Sequence, residues 1–454
     1  MRKLGKFIRL VQNEYIKILK KVSTWIMLIL ILVVCVGYFG VSKIAEYQVK
    51  NNRYEMSEQD WKKQLNSNLT YAKETKYEGW EADVAEYQFC LDHEIFQYDW
   101  RRTAVTAVFH EVQDAAVAES LKTAIINEDW KAYFQYMLDA APEGTEEDSW
   151  LYQYCIDHNL KPDQEDATYR LAAQLSTAKA ELASMEQQKG NGVSVDANKY
   201  QKLKDNVQLY TYRLDHSITF DVSENTGWFN SGILNFWTVF SDSYRVLTFV
   251  GILMIMVCGA IVSSEFSQGT IKFLLINPAK RWKILAAKYV TAITFGYCML
   301  LLTYLLSGLG SMLLFGTDNL GAQYFYVSSG AVKSMPGFVY ILRNYMLSSV
   351  NILVMSSLAF AISSLVRNTA LSVGIGMGAM LGGSLIVTIL SAFRLDWARF
   401  LIFSNTDLIA ISQGNSAFMG QTVGFALCVL GVHLFIFQGI GILSGLVIPK
   451  LMNV

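Results

Sequence analysis

The sequence predicts an all-α membrane protein that combines six transmembrane helices with a mainly helical domain outside the membrane. Of its 454 residues, 52% are hydrophobic, and these are concentrated in six runs. A helix of roughly 20 apolar residues crosses the hydrocarbon core of a bilayer. In lipid such runs must be helical, because no water is present to satisfy the backbone. A long polar segment separates the first two runs.

Residues 1–22 are predicted to form a cytoplasmic amphipathic helix at the membrane interface. Their apolar side chains recur at helical spacing, with Lys and Arg on the other face; these are Leu4, Phe7, Val11, Tyr15 and Ile18. A basic tail that only sets the topology is the alternative. Residues 23–41 are predicted as transmembrane helix 1. No small-x-small pattern follows this run, which favours an uncleaved anchor over a signal peptide.

Residues 244–450 are predicted to contain transmembrane helices 2–6. The five runs are Tyr244–Ser263, Ile284–Phe315, Tyr345–Leu365, Thr369–Phe393 and Thr422–Val447. Lys and Arg prefer short cytoplasmic loops, and the segments assigned to the inside carry 14 basic and two acidic residues. We therefore expect a multi-pass protein of the plasma membrane with both termini in the cytoplasm.

Residues 42–243 are predicted to be extracellular and helical. They hold 19 basic and 34 acidic residues, which either attract cationic peptides or keep the domain soluble. Two heptad stretches, 171–185 and 200–214, flank the turn Gly190–Gly192. This pattern predicts an antiparallel coiled-coil hairpin, serving as a stalk or lid or simply as the way the domain packs.

No constellation in the sequence predicts catalysis, a metal site or nucleic-acid binding. His93, His110 and His158 lack the spacing of metal ligands and are expected to be lone surface histidines. Cys90 and Cys155 share the extracellular segment, so a disulfide between them is possible. No G-x-x-x-x-G-K-[ST] occurs in the chain, so the sequence contains no phosphate-binding loop of that type.

The segment between the second and third runs predicts a short helix beneath the membrane. Gly269 and Thr270 break the preceding helix, and Thr270 can cap a new one over Ile271–Ile276. Pro278 ends that helix, and a basic cluster leads into the third run. A protruding, partly apolar helix suits docking to another protein, although anchoring to lipid is the alternative.

The order E-F-x-x-G-T-I-K-x-L-L-x-x-P-x-x-R-W-x-I-L-x-x-K, from 265 to 288, resembles the signature of ABC-2-type permeases. These are the membrane subunits of ATP-binding-cassette exporters, and the resemblance covers roughly 1–41 and 244–450. It implies a type V exporter-like fold with a coupling helix at 269–277 that docks on a separate ATPase. The residues implied in coupling are Glu265, Gly269, Thr270, Leu274, Leu275, Pro278, Arg281 and Lys288.

The resemblance implies that ATP and Mg are bound by the partner ATPase, and that this chain holds no cofactor. Six spans make half of a transporter, so a second permease, identical or homologous, is expected beside the ATPase and the lipid bilayer. Gly374, Gly378 and Gly382 form a small-residue face that either packs within the subunit or forms the dimer seam. Asn351 and His433 are candidates for a transport pathway.

The apolar spans favour hydrophobic or amphiphilic cargo, such as a peptide antibiotic, a lipid or a drug, moved outward. Two other hypotheses remain at this point. In the first, the chain is a mechanotransmitting membrane subunit whose extracellular domain regulates or senses an envelope partner or an antimicrobial peptide. In the second, it is a membrane receptor or scaffold without an ATPase, for which the 265–288 motif has no evident use.

Overall fold

The computed structural model describes residues 2–51, 58–95, 99–140, 146–163, 166–223, 234–267, 280–366 and 368–447. The chain begins with helices α1 (Arg2–Lys20) and α2 (Val22–Asn51). The polar segment between the first two spans, which was predicted to be extracellular, is called the outer domain. It contains α3 (Glu58–Thr75), α4 (Trp80–Asp92), α5 (Trp100–His110), α6 (Ala115–Ile126), α7 (Trp130–Asp139), α8 (Glu146–Asp157), α9 (Ala167–Gly190) and α10 (Ala197–Asp215). There follow α11 (Phe236–Asp242), α12 (Leu247–Ala260), α13 (Ser263–Ser267), α14 (Arg281–Phe315), α15 (Gly337–Val366), α16 (Thr369–Ala392), α17 (Leu408–Ser412) and α18 (Val423–Val447).

Six helical segments of the described chain are long and apolar enough to cross a membrane. They are Val22–Gln48, Phe236–Ala260, Trp282–Phe315, Gly337–Val366, Thr369–Ala392 and Val423–Gly441. The prediction of an all-α membrane protein with six spans is therefore confirmed. The first, fifth and sixth spans keep most of their side chains on the outside of the bundle, whereas the second and fourth are more than half buried.

The second span begins earlier than the sequence indicated. Its first helix, α11, starts at Phe236, whereas the predicted outer domain extends to residue 243. A 3₁₀ turn, Ser243–Val246, joins α11 to α12. Polar residues such as Asp242 interrupt the apolar run, so the beginning of the helix is not evident from hydropathy. In the structure Asp242 is buried together with the aromatic residues around it. The helix that leads into the second span therefore begins before the predicted boundary at 243, which followed hydropathy and could not register burial.

A β-hairpin between α14 and α15 contains the only strands found in the described residues. Strand β1 (Gln323–Ser328) pairs antiparallel with β2 (Ala331–Pro336), and Ser328 lies opposite Ala331. The two turn residues, Ser329 and Gly330, both have positive φ, as a tight hairpin turn requires. The sequence analysis did not predict this hairpin.

The outer domain has its own apolar core, formed mainly by α3 to α8. Cys90 and Cys155 both lie in this core as free thiols, so the possible disulfide is not formed. Burial raises the pKa of the Cys90 thiol to about 11 and that of Cys155 to about 12. Helices α9 and α10 form at the two heptad stretches and pack against each other. Their classification as a coiled coil stays a prediction.

The outer domain rests on the ends of the membrane helices through α10. The Asn198 side-chain amide donates a hydrogen bond to the carbonyl of Gln421, 2.9 Å away, just before α18. The Gln208 amide donates to the carbonyl of Gly330 in the hairpin turn, at 2.7 Å. These contacts join the outer domain to the loops that lead into the fourth and sixth spans.

Candidate functional site at the start of the third span

A buried ion cluster surrounds Lys288, near the beginning of α14. The Lys288 side chain is 3% exposed, and its ammonium donates to Glu265 Oε1 at 2.6 Å and to Glu14 Oε2 at 3.0 Å. Glu14 also accepts a hydrogen bond from Lys17 Nζ, 2.6 Å from its other oxygen. Two carboxylates and two ammonium groups therefore balance each other at this end of the bundle.

Lys288 and its two carboxylate partners come from three separate parts of the chain. Glu14 lies on α1, Glu265 on α13 at the end of the second span, and Lys288 on the third span. Helix α1 packs along α14, where the Tyr15 hydroxyl donates a hydrogen bond to Thr294 Oγ1. The cluster thus fastens both sides of the 265–288 segment to each other and to the amino-terminal helix.

Charge pairing lets these groups remain buried. Burial acts to raise the pKa of the Glu14 carboxyl, but Lys288 and Lys17 together outweigh it, and that pKa lies below its ordinary value. Removing one partner from a buried ion pair leaves the other charge uncompensated, which typically costs about 3–5 kcal/mol. The position of α1 is therefore linked energetically to Glu265 and Lys288, the two ends of the 265–288 segment.

The structure brings together two of the residues implied in ATPase coupling, Glu265 and Lys288. Arg281 begins α14, and its side chain is outside the described set. Five further coupling residues lie outside the described residues; they are Gly269, Thr270, Leu274, Leu275 and Pro278. The coupling helix at 269–277 therefore stays a prediction.

Glu14 is the member of the cluster that the sequence analysis missed. It is the one acidic residue before the first span, among seven basic residues. It lies four residues before Ile18, which is also buried, so the two share a face of α1. The amphipathic pattern was real, but the Glu14–Ile18 face packs on the protein and not on lipid. Ile8 and Ile16 remain on the exposed side of α1.

Neither of the two pathway candidates lines a small cavity inside the bundle. That cavity, about 20 Å³, is lined by residues such as Met254, Tyr297 and Ser349, and neither Asn351 nor His433 is among them. The His433 ring makes a hydrogen bond through Nδ1 to the carbonyl of Val429, 2.8 Å away in its own helix.

The small-residue face of α16 points away from the described chain. A Cβ placed at Gly374, Gly378 or Gly382 would meet no described atom within 4 Å. Packing of this face within the subunit, one of the two alternatives that the sequence left open, is therefore not observed among the described residues. Two other glycines make the close contacts: a Cβ at Gly376 would lie 2.7 Å from Ile255, and one at Gly383 would lie 2.6 Å from Phe403.

One cluster in the outer domain has metal-ligand chemistry. Asp83, Glu86 and His110 bring one ligand atom each to within 4.8 Å of one another. The buried Glu86 carboxylate also forms an ion pair with Arg102 and lies 2.7 Å from His110 Nε2. A guanidinium at that position competes with a cation, so the group is an ion-pair network. His110 is consequently not the lone surface residue that its sequence context indicated.

Comparison with known proteins identifies relatives of the membrane part. A family described as protein of unknown function, DUF2705, matches residues 207–444, which is more than half of the chain. The chain belongs to the DUF2705 family. The DUF2705 match includes the second to sixth spans, the hairpin and the Lys288 region, and it begins near the middle of α10. Residues 1–206, with most of the outer domain, precede it.

Two proteins of Bacillus subtilis (strain 168) are similar to this DUF2705 member. The uncharacterized protein YhcI is 29% identical over 261 residues, covering 57% of this chain and 80% of YhcI. The uncharacterized membrane protein YdbK is 32% identical over 190 residues, covering 42% of this chain and 73% of YdbK. No solved structure matches the chain.

Proposed function

We propose that this chain is the transmembrane permease subunit of an ATP-driven exporter of the ABC-2 type. In this proposal a separate ATPase binds ATP and Mg and docks on the 265–288 segment from the cytoplasm. The observation that carries the proposal is the buried cluster of Glu14, Glu265 and Lys288. Force applied to a segment tied at both of its ends would reach α1 and the second and third spans together.

A second permease would complete the transporter. The open glycine face of α16 supports this part, because residues without side chains allow another helix to approach closely. The exposed apolar side chains of the fifth and sixth spans would then contact the second copy or lipid. Hydrophobic or amphiphilic cargo, moved outward, suits the apolar spans.

The mechanotransmitting subunit remains the second candidate. It is favoured by the contacts of α10 with the loops that lead into the fourth and sixth spans, at Asn198 and Gln208. A movement of those spans would be passed to the outer domain. Substrate-stimulated ATP hydrolysis in lipid discs separates the candidates, since an exporter responds to its cargo and a transmitter responds to its envelope partner.

The docking role is tested with the full-length protein purified from native membranes. Replacing Leu274 and Leu275 with Asp should abolish co-purification of an ATP-binding-cassette ATPase. The wild type should retain the ATPase. The double substitution should leave the thermal stability of the membrane protein unchanged. Val193→Asp, on an exposed outer-domain position, is the control for added charge.

Equal recovery of the ATPase with Leu274 and Leu275 replaced would contradict the docking role. Crosslinks from residues 271–276 that reach phospholipid but no second polypeptide would do the same. For the cargo, vesicle assays that show transport of small hydrophilic ions but of no amphiphile would overturn the preference for apolar substrates.

A further inference from the structure

A polar cavity of about 290 Å³ lies where the outer domain meets the membrane helices. Its walls come from α9, α10, the segment before the second span, β1, α15 and α17. Its volume is close to the lower end of the range for small-molecule sites, which is about 300–1,000 Å³. The cavity therefore has room for a small polar group enclosed by two parts of the protein.

Positive charge predominates in the lining. Lys202 on α10, Arg213 at the end of α10 and Arg343 on α15 face a single carboxylate among the described lining residues, that of Asp221. Asp221 is already engaged: Oδ1 accepts from Ser223 N at 2.7 Å and from Ser223 Oγ at 2.6 Å. Its Oδ2 accepts from the backbone N–H of Phe325 at 2.7 Å.

Neither Lys202 nor Arg343 has a carboxylate partner within 4.0 Å, the limit for an ion pair, among the described residues. Burial lowers the pKa of Lys202; Asp205 opposes this effect and the positive charge of Arg343 adds to it. The two partly buried cations therefore repel each other in a partly enclosed site. Burying a charge is unfavourable unless it is paired, so an anion would relieve the cost.

Neighbouring groups hold the two cations in place. Arg343 lies 6.0 Å from the centre of the Tyr324 ring, which stacks on Tyr340 at 4.0 Å. A Cβ added at Gly414 would lie 3.5 Å from Lys202 Cβ, so the lysine stem runs along the loop that follows α17. One cation thus belongs to the outer domain and the other to the fourth span.

We propose that this cavity binds a phosphate-bearing group, with Lys202 and Arg343 as its direct ligands. Arg offers a planar set of donors that matches phosphate oxygens, and Lys adds a compact charge. Bound there, the phosphate would bridge α10 and α15 and stabilise the outer domain against the bundle. The proposal does not depend on the exporter function, since it needs no ATPase.

Phosphate can come from two sources, a phospholipid headgroup or a soluble phosphate compound. The cavity adjoins the ends of two spans, where headgroups lie, but it is also open to small solutes. Full-length protein is therefore stripped of lipid in a maltoside detergent, which carries no phosphate. It is then titrated separately with inorganic phosphate, glycerol 1-phosphate, phosphatidylglycerol and diacylglycerol, with thermal unfolding as the measurement and chloride at equal ionic strength as the reference.

We expect saturable stabilisation by a phosphate-bearing probe. Lys202→Met and Arg343→Gln should each weaken its binding on the order of 10–100-fold, the usual effect of losing a hydrogen bond to a charged group. Lys204→Met is the matched control, because Lys204 is an exposed lysine on the same helix and is not part of the lining. It should bind the probe as the wild type does.

The relative affinities identify the source. Equal affinity for glycerol 1-phosphate and phosphatidylglycerol supports a soluble ligand. Tighter binding of phosphatidylglycerol than of glycerol 1-phosphate, with no binding of diacylglycerol, supports the lipid. The proposal is overturned if no phosphate-bearing probe stabilises the wild type beyond chloride, or if Lys202→Met binds it with unchanged affinity. If Arg343→Gln does not fold, Lys202→Met alone decides, because Lys202 makes no hydrogen bond that folding requires among the described residues.

Discussion

Two lysines, at opposite ends of the membrane bundle, differ in how their charges are balanced. Lys288 sits between two carboxylates, Glu14 and Glu265. Lys202 shares a cavity with Arg343 and forms no ion pair with a described residue. At the Lys288 end of the bundle the charges balance without a ligand, and the ion pairs hold three segments together. The second end carries excess positive charge, which is the condition under which a protein gains from binding an anion.

The largest effect expected from this comparison is the loss of Lys288. Lys288→Met leaves the buried Glu14 and the half-buried Glu265 without their shared cation, and should lower the free energy of unfolding by about 3–5 kcal/mol. The measurement is thermal and denaturant unfolding of the purified full-length protein. Lys283→Met, five residues earlier in the same helix and without a carboxylate partner among the described residues, is the control. Equal stability of the two variants would show that the cluster holds nothing together.

The next effect is the pH dependence of the Glu14 contribution. The pKa of Glu14 is lowered in the folded protein, so its ionised form stabilises the fold at neutral pH. That stabilisation is lost as the pH falls from the unfolded-state pKa, about 4.3, through the lower folded value. At about pH 7 the wild type should therefore have a higher melting temperature than Glu14→Gln. The difference between the two melting temperatures should become smaller below about pH 4. A difference in melting temperature that does not change with pH would mean that Glu14 stabilises the fold by packing and not by its charge.

A smaller effect of opposite sign is expected for Lys202. Without an anion, Lys202→Met removes an uncompensated, partly buried charge, so stability should stay constant or rise by about 1 kcal/mol or less. The same unfolding assay, run without phosphate, compares this variant with Lys204→Met. A loss as large as that of Lys288→Met would show that Lys202 has a structural partner and would remove the contrast between the two ends.

The smallest effect concerns the thiols of the outer domain. Cys90 and Cys155 are buried and unpaired, and their pKa values of about 11 and 12 keep them protonated at neutral pH. Intact-protein mass should therefore be the same with and without reductant, and a maleimide should label these two cysteines after denaturation only. A two-hydrogen mass difference, localised to a Cys90–Cys155 peptide, would contradict the structure.

Features that repeat within one helix could be predicted from the sequence, and contacts between distant helices could not. The six spans follow from hydropathy, and α9 and α10 follow from heptad spacing, since both patterns repeat within one helix. Glu265 and Lys288 were singled out by a local motif that resembles a known family, and the structure adds that they touch. Glu14 was missed because its partner Lys288 lies 274 positions away along the chain.

The sequence by itself determined that the chain forms six apolar helices and a polar helical domain, because the need to satisfy backbone groups in lipid acts on each run separately. Only the tertiary structure decided which charges meet. It placed Glu14 against Lys288, turned Gly374, Gly378 and Gly382 outward, and brought Lys202 and Arg343 to one cavity. Such contacts depend on how helices distant in the chain pack, and periodicity within each helix carries no information about its neighbours.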